Sequence, residues 1–485
     1  MNGRRPELSI RPVSKFRYSI VGLGKLGASM AAAIASRGFQ VTGVDVSERA
    51  ISLLQLGHAP VQETGLAALI AQHRERLRAT GDYAVAVAQS DVTFVVVPTP
   101  SDGRGAFSLD YAKAAFRAIG RALAEKDGYH LVVLTSTVLP GAGRHALLPI
   151  LEAESGKVAG RDFGYCYSPE FIALGSVIRD FLNPDFTLVG EVDERAGRLL
   201  EECYTHILAN GAPCRRMSVE NAELAKLAVN TYITQKIVFA NELAALCEQI
   251  PGGDVDVVTD AIGLDSRIGR KCLTGGLAYG GPCFPRDNVA LRFLAGALGS
   301  SASLATATHD TNEASVRQLV DRIAALSGPG TRVAVLGLAY KPSSHVVDAS
   351  PGLALARALT ELGVQVAAYD PLALESASAA LREQVELATS LEACVADAEI
   401  VVITTPDRAF LGLPNALRRG SGPVTVIDCW RLLAAELADD PRVTYVPVGR
   451  SLDDIENAAR LTALWQDAPA AQAVPAGAVR AASAV

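Results

Sequence analysis

The chain has 485 residues, a length that accommodates about three domains of ordinary size. Its 45 basic and 52 acidic residues give a net charge of −7, and no segment combines a basic stripe with interleaved aromatic residues, so a nucleic-acid partner is not expected. Hydrophobic residues make up 49 % of the chain, yet no apolar run approaches the roughly 18 residues of a membrane-spanning helix. Residues 1–16 are polar and lack the pattern of a secretory signal. We therefore expect a cytoplasmic protein without a membrane partner.

Cysteine and histidine spacing gives no support to disulfide or metal chemistry. The eight cysteines are scattered and form no C-x-x-C pair, and the seven histidines form no H-E-x-x-H motif. Such spacings are the usual signs of structural zinc, redox or metalloprotease sites. The sequence predicts no metal site.

The N-terminal part of the chain alternates strands with helices. Residues 18–21 are apolar and β-prone, 22–27 form a glycine turn, 28–36 are an alanine-rich helix, and 39–44 form a second strand that ends at Asp45. Further strands are predicted at residues 92–97 and 131–134. Strands that alternate with helices indicate a parallel, doubly wound sheet.

The same pattern recurs near the C-terminus after a long central helix. Residues 219–249 contain no proline or glycine and have helical spacing, and they are followed later by a strand at 332–337, a helix near 352–362 and a strand at 364–370. Residues 91–100 and 397–406 also match in register from aspartate to proline. We predict an α/β fold with two Rossmann-like doubly wound domains, joined by the long helix and a helical central domain.

The first glycine turn has the spacing G-x-G-x-x-G, formed by Gly22, Gly24 and Gly27. Glycines there allow a pyrophosphate to approach the N-terminus of the following helix, where free N–H groups and the helix dipole favour an anion. Asp45 lies at the end of the second strand, where a carboxylate accepts hydrogen bonds from a ribose diol and repels a 2′-phosphate. The prediction is a site for NAD rather than NADP.

A cysteine in an unusual setting suggests nucleophilic chemistry. Cys283 lies in the segment G-G-P-C-F-P-R-D at residues 280–287, between glycine and two prolines and four residues before Asp287. This constrained backbone is typical of a presented thiol, whereas a lone cysteine is more often an inert small hydrophobe. The other seven cysteines occur in ordinary apolar or helical contexts, and we assign them no function.

Polar residues in four further places are candidates for the same site. Glu223, Lys226 and Asn230 share one face of the central helix, which is either functional or a solvated, salt-bridged face. Residues 135–137 and 168–171 follow predicted strands, and the ends of parallel strands are where ligands bind in such sheets. The polar residues in both segments could equally belong to a turn or a helix cap. Lys341 ends the second glycine turn. Its ammonium group either contacts a phosphate or a sugar there, or it is an ordinary surface lysine.

Together and in this order, these motifs resemble the UDP-glucose/GDP-mannose dehydrogenase family, the nucleotide-sugar 6-dehydrogenases, over about residues 17–450. The resemblance implies an NAD-dependent, four-electron oxidation of the sugar C6 alcohol to a carboxylate. Cys283 matches the family nucleophile, which holds the intermediate first as a thiohemiacetal and then as a thioester. A thiolate suits both steps because it is a good nucleophile and a usable leaving group.

The resemblance also assigns roles to individual residues. Lys226 and Asn230 match residues that stabilise oxyanions at C6, Thr137 and Asp287 match residues that hold the catalytic water, and Glu170 matches the acid of thioester hydrolysis. The cofactor contacts that it implies are Gly22, Gly24, Lys25, Leu26, Gly27, Asp45, Thr99 and Thr137. The substrate contacts that it implies are Glu170, Phe171, Lys226, Asn230, Arg267, Gly280 and Lys341.

Arg267 resembles the arginine that reaches into a neighbouring subunit, so a homodimer or higher homo-oligomer is expected. The implied domains are an N-terminal extension at 1–16, an NAD-binding domain at 17–215, a central helical domain at 216–327, a UDP-sugar-binding domain at 328–465 and a disordered tail at 466–485.

Two segments depart from the family pattern. Residues 343–349 read S-S-H-V-V-D-A, where relatives carry paired acids followed by arginine and glutamate, and Leu174 replaces a glutamate. UDP-glucose is the expected substrate, with UDP-N-acetylhexosamine and GDP-mannose as alternatives. A two-electron hydroxyacid dehydrogenase and a non-enzymatic nucleotide-binding protein are more distant readings, and the set of Cys283, Lys226, Asn230 and Asp287 argues against the latter.

Overall fold

The computed structural model describes residues 16–381, 385–418 and 422–466. The predicted N-terminal extension, except residue 16, and the predicted tail, except residue 466, lie outside this description. The chain divides into two compact units, which we call unit 1 (Met1–Tyr232 and Arg286–Thr306) and unit 2 (Ile233–Pro285 and Ala307–Val485). Among the described residues, no helix is both long and apolar enough to cross a membrane.

Unit 1 is built on an eight-stranded sheet. Its strands are β1 (Tyr18–Val21), β2 (Val41–Val44), β3 (Leu77–Thr80), β4 (Val92–Val95), β5 (Leu131–Leu134), β6 (Gly164–Tyr167), β7 (Thr187–Glu191) and β8 (Cys214–Ser218). Their order is β3-β2-β1-β4-β5-β6-β7-β8. All neighbours are parallel except β6 and β7, which are antiparallel. The strands predicted from the sequence, β1, β2, β4 and β5, are parallel as expected.

Helices cover the strands of unit 1 on both faces. They are α1 (Lys25–Ser36), α2 (Glu48–Gln55), α3 (Leu66–Gln72), α4 (Tyr83–Ala88), α5 (Asp110–Ala124), α6 (Leu148–Ser155), α7 (Val177–Leu182) and α8 (Glu194–Ile207), with a π-helix at Gly143–Leu147 and a 3₁₀ helix at Arg74–Arg76. Alternate residues of β1 enter different cores: Ile20 packs in the cluster that contains α1, and Val21 in the cluster that contains α5. Burial on both faces fits the fully buried, mainly apolar sequences of the central strands β4 and β5.

Four helices follow β8 in the chain: α9 (Val219–Cys247), α10 (Val255–Gly263), α11 (Phe284–Ala297) and α12 (Ser303–Leu326). The predicted long helix at residues 219–249 corresponds closely to α9. With no proline or glycine inside it, nothing interrupts its ladder of backbone hydrogen bonds.

Unit 2 contains a second, six-stranded parallel sheet. Its strands are β9 (Arg332–Leu336), β10 (Gln365–Tyr369), β11 (Glu386–Leu387), β12 (Ile400–Ile403), β13 (Val424–Asp428) and β14 (Val443–Pro447), in the order β11-β10-β9-β12-β13-β14. The helices of this part are α13 (Pro351–Glu361), α14 (Leu374–Leu381), α15 (Leu391–Val395), α16 (Leu413–Leu417), α17 (Ala434–Leu437) and α18 (Asp454–Trp465), with a 3₁₀ helix at Arg408–Gly412. The predicted α/β fold with two doubly wound sheets is confirmed.

Candidate active site

The glycine turn after β1 is shaped by steric limits at two of its three glycines. Gly22 has φ +97°, and a Cβ atom there would lie 2.2 Å from the carbonyl oxygen of Val96. A Cβ atom on Gly27 would lie 1.8 Å from the carbonyl oxygen of Gly22. Only glycine therefore permits this close packing of the turn against β4 and α1.

Gly24 differs from its two neighbours because a Cβ atom added there meets nothing within 4 Å. It is also the N-cap residue of α1 and provides no side-chain cap. The start of α1 thus has open space beside its backbone, as a bound pyrophosphate requires. Lys25 and Leu26 form the first turn of this helix, and both are partly buried.

Asp45 directly follows β2 and is partly buried. One carboxylate oxygen accepts a hydrogen bond from the Leu23 N–H at 2.6 Å, and the other accepts one from the Ser47 N–H at 2.8 Å. The carboxylate is therefore tied to the glycine turn, at the position where a ribose diol binds in such sheets. The turn, the open helix end and this carboxylate together fit a dinucleotide.

The corresponding position in unit 2 is closed. Gly337 follows β9 with φ +110°, but Asp370, after β10, is buried. One oxygen of Asp370 accepts hydrogen bonds from the Leu338 and Ala339 N–H groups at 2.8 and 2.9 Å. Because the turn's N–H groups already have an internal acceptor, this second glycine turn does not fit a dinucleotide.

Three side chains of α9 in unit 1 are buried rather than solvated. Glu223, Lys226 and Asn230 are 0 %, 8 % and 8 % exposed, so the alternative of a solvated face is wrong. The Lys226 ammonium donates to the backbone oxygen of Glu170 at 2.6 Å and lies 4.5 Å from the centroid of the Phe171 ring. Lys226 therefore anchors the segment that follows β6.

Asn230 connects α9 to the first turn of α11. Its Nδ2 donates to the carboxylate of Asp287 at 2.6 Å, and Asp287 is fully buried. Arg286 lies 3.4 Å from the same carboxylate and donates to the backbone oxygen of Thr99 at 3.4 Å. Thr99 in turn donates through its hydroxyl to the backbone oxygen of Thr137 at 2.7 Å. These contacts join predicted cofactor and catalytic residues in one connected group.

Two carboxyl groups in unit 1 have raised pKa values because of burial. Burial raises the pKa of Glu170 to about 8, and the ammonium of Lys226 opposes this shift. Burial also raises the pKa of Glu223 to about 7, against the effect of hydrogen bonds from the backbone of Gly143 and Gly141. Both groups therefore change charge near neutral pH, as acid–base catalysis requires.

Cys283 belongs to unit 2 and has an exposed thiol. It directly precedes α11, and the backbone before it is packed too closely for side chains. A Cβ atom on Gly281, where φ is +90°, would lie 2.6 Å from the Tyr340 ring, and one on Gly280 would lie 2.3 Å from the backbone oxygen of Ala349. The constrained backbone predicted around this cysteine is present.

The loop that leads to Cys283 is clamped by side chains of unit 2. The Lys236 ammonium donates to the backbone oxygens of Ile268, Gly269 and Lys271 at 3.1, 3.0 and 2.6 Å. The amide of Asn312 both accepts from and donates to the backbone of Tyr279, at 2.9 and 3.0 Å. Arg267 lies on this loop with its side chain 87 % exposed, and it pairs with Asp265 at 2.6 Å.

A cavity of about 360 Å³ in unit 2 brings Gly280 and Lys341 together. Its lining includes Tyr340, Trp430 and Cys272. Sequence reasoning missed Cys272, which is exposed and has φ +62°. Arg270 and Lys271 directly precede Cys272, and these charged neighbours are the signal that could have indicated an exposed position.

The predicted site residues thus form two groups. Unit 1 holds the glycine turn with Asp45, and the connected set of Thr99, Thr137, Glu170, Phe171, Lys226, Asn230 and Asp287. Unit 2 holds Arg267, Gly280, Cys283 and Lys341. In the described ranges, no group of three or more His, Cys, Asp or Glu residues is arranged to hold a metal ion.

Comparison with known proteins identifies the family. Three models of the UDP-glucose/GDP-mannose dehydrogenase family match in sequence order: its NAD binding domain at residues 16–208, its central domain at 220–314 and its UDP binding domain at 334–435. The chain belongs to this family. The resemblance inferred from the motifs is confirmed, and membership makes the protein an NAD-dependent nucleotide-sugar 6-dehydrogenase.

Relatives in the family act on different sugars. The chain is 34 % identical to a UDP-glucose 6-dehydrogenase of Bacillus subtilis over 440 residues, covering 90 % of this chain and 93 % of the relative. It is 35 % identical to a GDP-mannose 6-dehydrogenase of Pseudomonas aeruginosa, covering 85 % and 96 %. A solved UDP-glucose dehydrogenase from the archaeon Pyrobaculum islandicum superimposes with a TM-score of 0.82 at 33 % identity, covering 92 % of this chain and all of the other.

Proposed function

We propose that the enzyme oxidises UDP-glucose to UDP-glucuronate in a four-electron reaction that passes through a covalent intermediate on Cys283. The observation that carries this proposal is the exposed Cys283 thiol at the start of α11, on a backbone that admits only glycine at residues 280 and 281. A protein that merely binds nucleotides has no need of a presented nucleophile. UDP as the nucleotide is supported by the match to the UDP binding domain and by the UDP-glucose 6-dehydrogenases among the relatives.

The chemistry divides into two oxidations and one hydrolysis. The C6 alcohol first loses a hydride and a proton to give an aldehyde. The Cys283 sulfur then adds to the aldehyde carbon, and loss of a second hydride and a proton converts the thiohemiacetal to a thioester. Water adds to the thioester, the carbon–sulfur bond breaks, and the acid leaves with the thiol restored. NAD, when bound, accepts the hydrides.

The buried groups of unit 1 supply the polar assistance that these steps require. We assign to Lys226 and Asn230 the stabilisation of negative oxygen at C6, since an ammonium and an amide N–H are suitable donors in a site with little water. We assign to Thr137 and Asp287 the binding of the water that hydrolyses the thioester. Glu170 is assigned the removal of a proton from that water, and its pKa of about 8 predicts a base form that increases as the pH rises from neutral to mildly alkaline values.

Binding is assigned to residues outside these steps. The first turn of α1, with Gly22, Gly24, Lys25, Leu26 and Gly27, and the side chains of Asp45, Thr99 and Thr137 would hold NAD. Phe171, Arg267, Gly280 and Lys341 would hold the nucleotide sugar, with the cavity beside Gly280 and Lys341 as supporting evidence. We retain the division into domains at residues 17–215, 216–327 and 328–465 as part of this proposal.

We further propose that the active form is a homodimer or a higher homo-oligomer. On α9, the side chains of Tyr232, Phe239 and Leu246 are 60 %, 50 % and 58 % exposed. They are seven residues apart, which aligns them along one stripe of the helix. An exposed apolar stripe of this kind favours pairing with another helix, and the exposed side chain of Arg267 is available to a neighbouring subunit.

The substrate and the chemistry are tested separately. Purified enzyme is incubated with NAD and UDP-glucose, GDP-mannose or a UDP-N-acetylhexosamine, and NADH is followed by absorbance. We expect the highest kcat/KM with UDP-glucose and two NADH per sugar consumed. One NADH per sugar would indicate a two-electron dehydrogenase, and a preference for another nucleotide sugar would replace UDP-glucose as the substrate.

The covalent intermediate is tested with two variants. Cys283→Ser should lose overall turnover while retaining NAD binding, because an alkoxide is harder to form and a poorer leaving group than a thiolate. Glu170→Gln should release a burst of about two NADH per site and then stall. Mass spectrometry of the intact Glu170→Gln protein should then show the sugar attached to Cys283. A Cys283→Ser protein with the steady-state rate of the parent would contradict the mechanism.

A further inference from the structure

Glu223 has no role in the chemistry assigned above, yet it is a fully buried carboxyl group on the helix that carries Lys226 and Asn230. Its two oxygens have separate donors in another segment of unit 1. One accepts from the Gly141 N–H at 2.6 Å, and the other accepts from the Gly143 N–H at 2.8 Å. The carboxyl group therefore links α9 to the point where the chain after β5 enters its next helix.

The segment between β5 and that helix carries Thr137 and is attached at both ends. At its start, the Ser136 hydroxyl donates to the backbone oxygen of Val97 at 2.7 Å, and the backbone oxygen of Thr137 accepts from the Thr99 hydroxyl at 2.7 Å. Leu139 packs against the apolar cluster that contains Leu227 of α9. At its end, two residues beyond Leu139, the Gly141 N–H donates a hydrogen bond to the Glu223 carboxyl group.

We propose that Glu223 is a positioning residue, which holds the Thr137 segment in a fixed place relative to Lys226 and Asn230 on α9. The proposal rests on the roles assigned to those three residues under the proposed function. Their groups act on C6 and on the hydrolytic water, so a shift of the segment along α9 would disturb the reacting geometry. Thr137 is only one of the eight residues assigned to NAD, so the effect on NAD affinity should be much smaller than the effect on kcat.

The carboxyl group cannot be replaced by an amide without loss. Two N–H groups converge on two different oxygens, and a glutamine has only one acceptor oxygen and would direct its own N–H₂ at the other donor. The site also has no room for a compensating side chain, since a Cβ atom on Gly143 would lie 2.5 Å from the Tyr165 hydroxyl and 2.8 Å from the Glu223 carboxylate. Glu223→Gln is therefore a specific probe of the link.

Glu220 provides a matched control on the same helix. It lies one turn earlier, is partly buried, and pairs with Arg144 of the same neighbouring segment. Glu220→Gln makes the same chemical change and also removes charge from a contact between α9 and that segment. However, Glu220 binds a flexible side chain, whereas Glu223 binds backbone.

The experiment measures kcat and KM for both variants with the nucleotide sugar that the parent enzyme oxidises, and checks their folding by NAD affinity in calorimetry. We expect Glu223→Gln to lose about 10- to 100-fold in kcat, because a misplacement of about 1 Å in the reacting geometry can cost about 100-fold. Its KM values and NAD affinity should stay within about threefold of the parent, and Glu220→Gln should stay within about twofold in kcat. Glu223→Asp, which retains both oxygens on a shorter side chain, should fall between the parent and Glu223→Gln.

The inference is overturned if folded Glu223→Gln retains the parent kcat, or if both glutamine variants lose kcat equally. If Glu223→Gln does not fold, the inference is tested with Glu223→Asp instead. A kcat of Glu223→Asp below that of the parent with unchanged KM supports the inference, and an unchanged kcat overturns it. Failure of both Glu223 variants to fold also overturns it, since Glu223 would then be needed for folding alone. The NADH yield and Cys283→Ser test the proposed function independently of these ratios.

Discussion

Glu170 shows how a single residue acquires chemistry from its surroundings. It lies just after β6, where burial disfavours the carboxylate and raises the pKa to about 8. Lys226 opposes the shift but donates its hydrogen bond to the backbone oxygen of Glu170 rather than to the carboxylate. Because burial outweighs the nearby ammonium, Glu170 is mostly protonated at neutral pH and gains its base form as the pH rises.

This titration predicts the pH dependence of turnover. If Glu170 in its carboxylate form removes a proton from the hydrolytic water, kcat should rise with pH and level off above about pH 8, since the base fraction follows the pKa. The kcat falls on acidification because a pH below the raised pKa converts the Glu170 carboxylate to its inactive acid form. The measurement is the kcat profile between about pH 6 and about pH 9. Any slow turnover that remains in Glu170→Gln after its burst should lack this rise, and a parent profile that is flat below pH 8 would argue against the role.

The sequence suggested the candidate site residues but not their environments. Spacing along α9 placed Glu223, Lys226 and Asn230 on one face, because helical periodicity is local. Whether that face was solvated depended on partners distant in the chain, the Glu170 backbone and Asp287, which spacing does not reveal. Cys272 was missed although the charged residues Arg270 and Lys271 precede it, and its positive φ depends on the fold of the loop rather than on its neighbours in sequence.

At the scale of elements, the two glycine turns share a construction but differ in what they can bind. Gly27 packs on the Gly22 carbonyl in unit 1, as Gly352 packs on the Gly337 carbonyl in unit 2. The difference lies in the acceptor: Asp45 is partly exposed, whereas Asp370 is buried and fully engaged with backbone. The first turn is therefore available to NAD and the second serves the fold.

Two glycines of the first turn should respond differently to the same substitution. A Cβ atom on Gly24 meets open space, whereas one on Gly27 lies 1.8 Å from a backbone oxygen. We expect Gly24→Ala to retain the melting temperature and lose about tenfold in NAD affinity, because the methyl group occupies the approach of the pyrophosphate. Gly27→Ala should lower the melting temperature by several degrees. Calorimetry and thermal unfolding of both variants test this, and equal stability of the two would contradict it.

Element prediction succeeded where the pattern was local. Residues 131–134 and the long helix were predicted close to their observed bounds, since apolar runs and helical spacing are read directly from neighbouring residues. The predicted strand at residues 39–44 begins only at Val41, and the helix predicted from residue 28 begins at Lys25. The antiparallel pairing of β6 with β7 could not be predicted, because strand direction depends on long-range connection and not on composition.

At the scale of the whole molecule, the predicted site residues are divided between two units, and one of them, Arg267, has an exposed side chain. Its guanidinium donates three hydrogen bonds to Asp265, two residues away, at 2.9, 3.2 and 2.6 Å. An exposed pair of this kind contributes little stability, so the arginine can leave Asp265 at little cost. In the proposed oligomer, this residue would link assembly to activity.

The stripe on α9 makes this link testable. Phe239 lies in the middle of the stripe and is 50 % exposed, so a charge placed there would be buried unpaired in a helix-to-helix interface. We expect Phe239→Glu to shift the protein to the monomer in analytical ultracentrifugation and to lower kcat/KM for the nucleotide sugar, while NAD affinity is retained because the glycine turn is unchanged. Leu304→Glu is the control, since Leu304 is 70 % exposed and lies outside α9. A parent enzyme that is monomeric and fully active, or a Phe239→Glu variant that stays assembled, would show that this stripe does not build the active form.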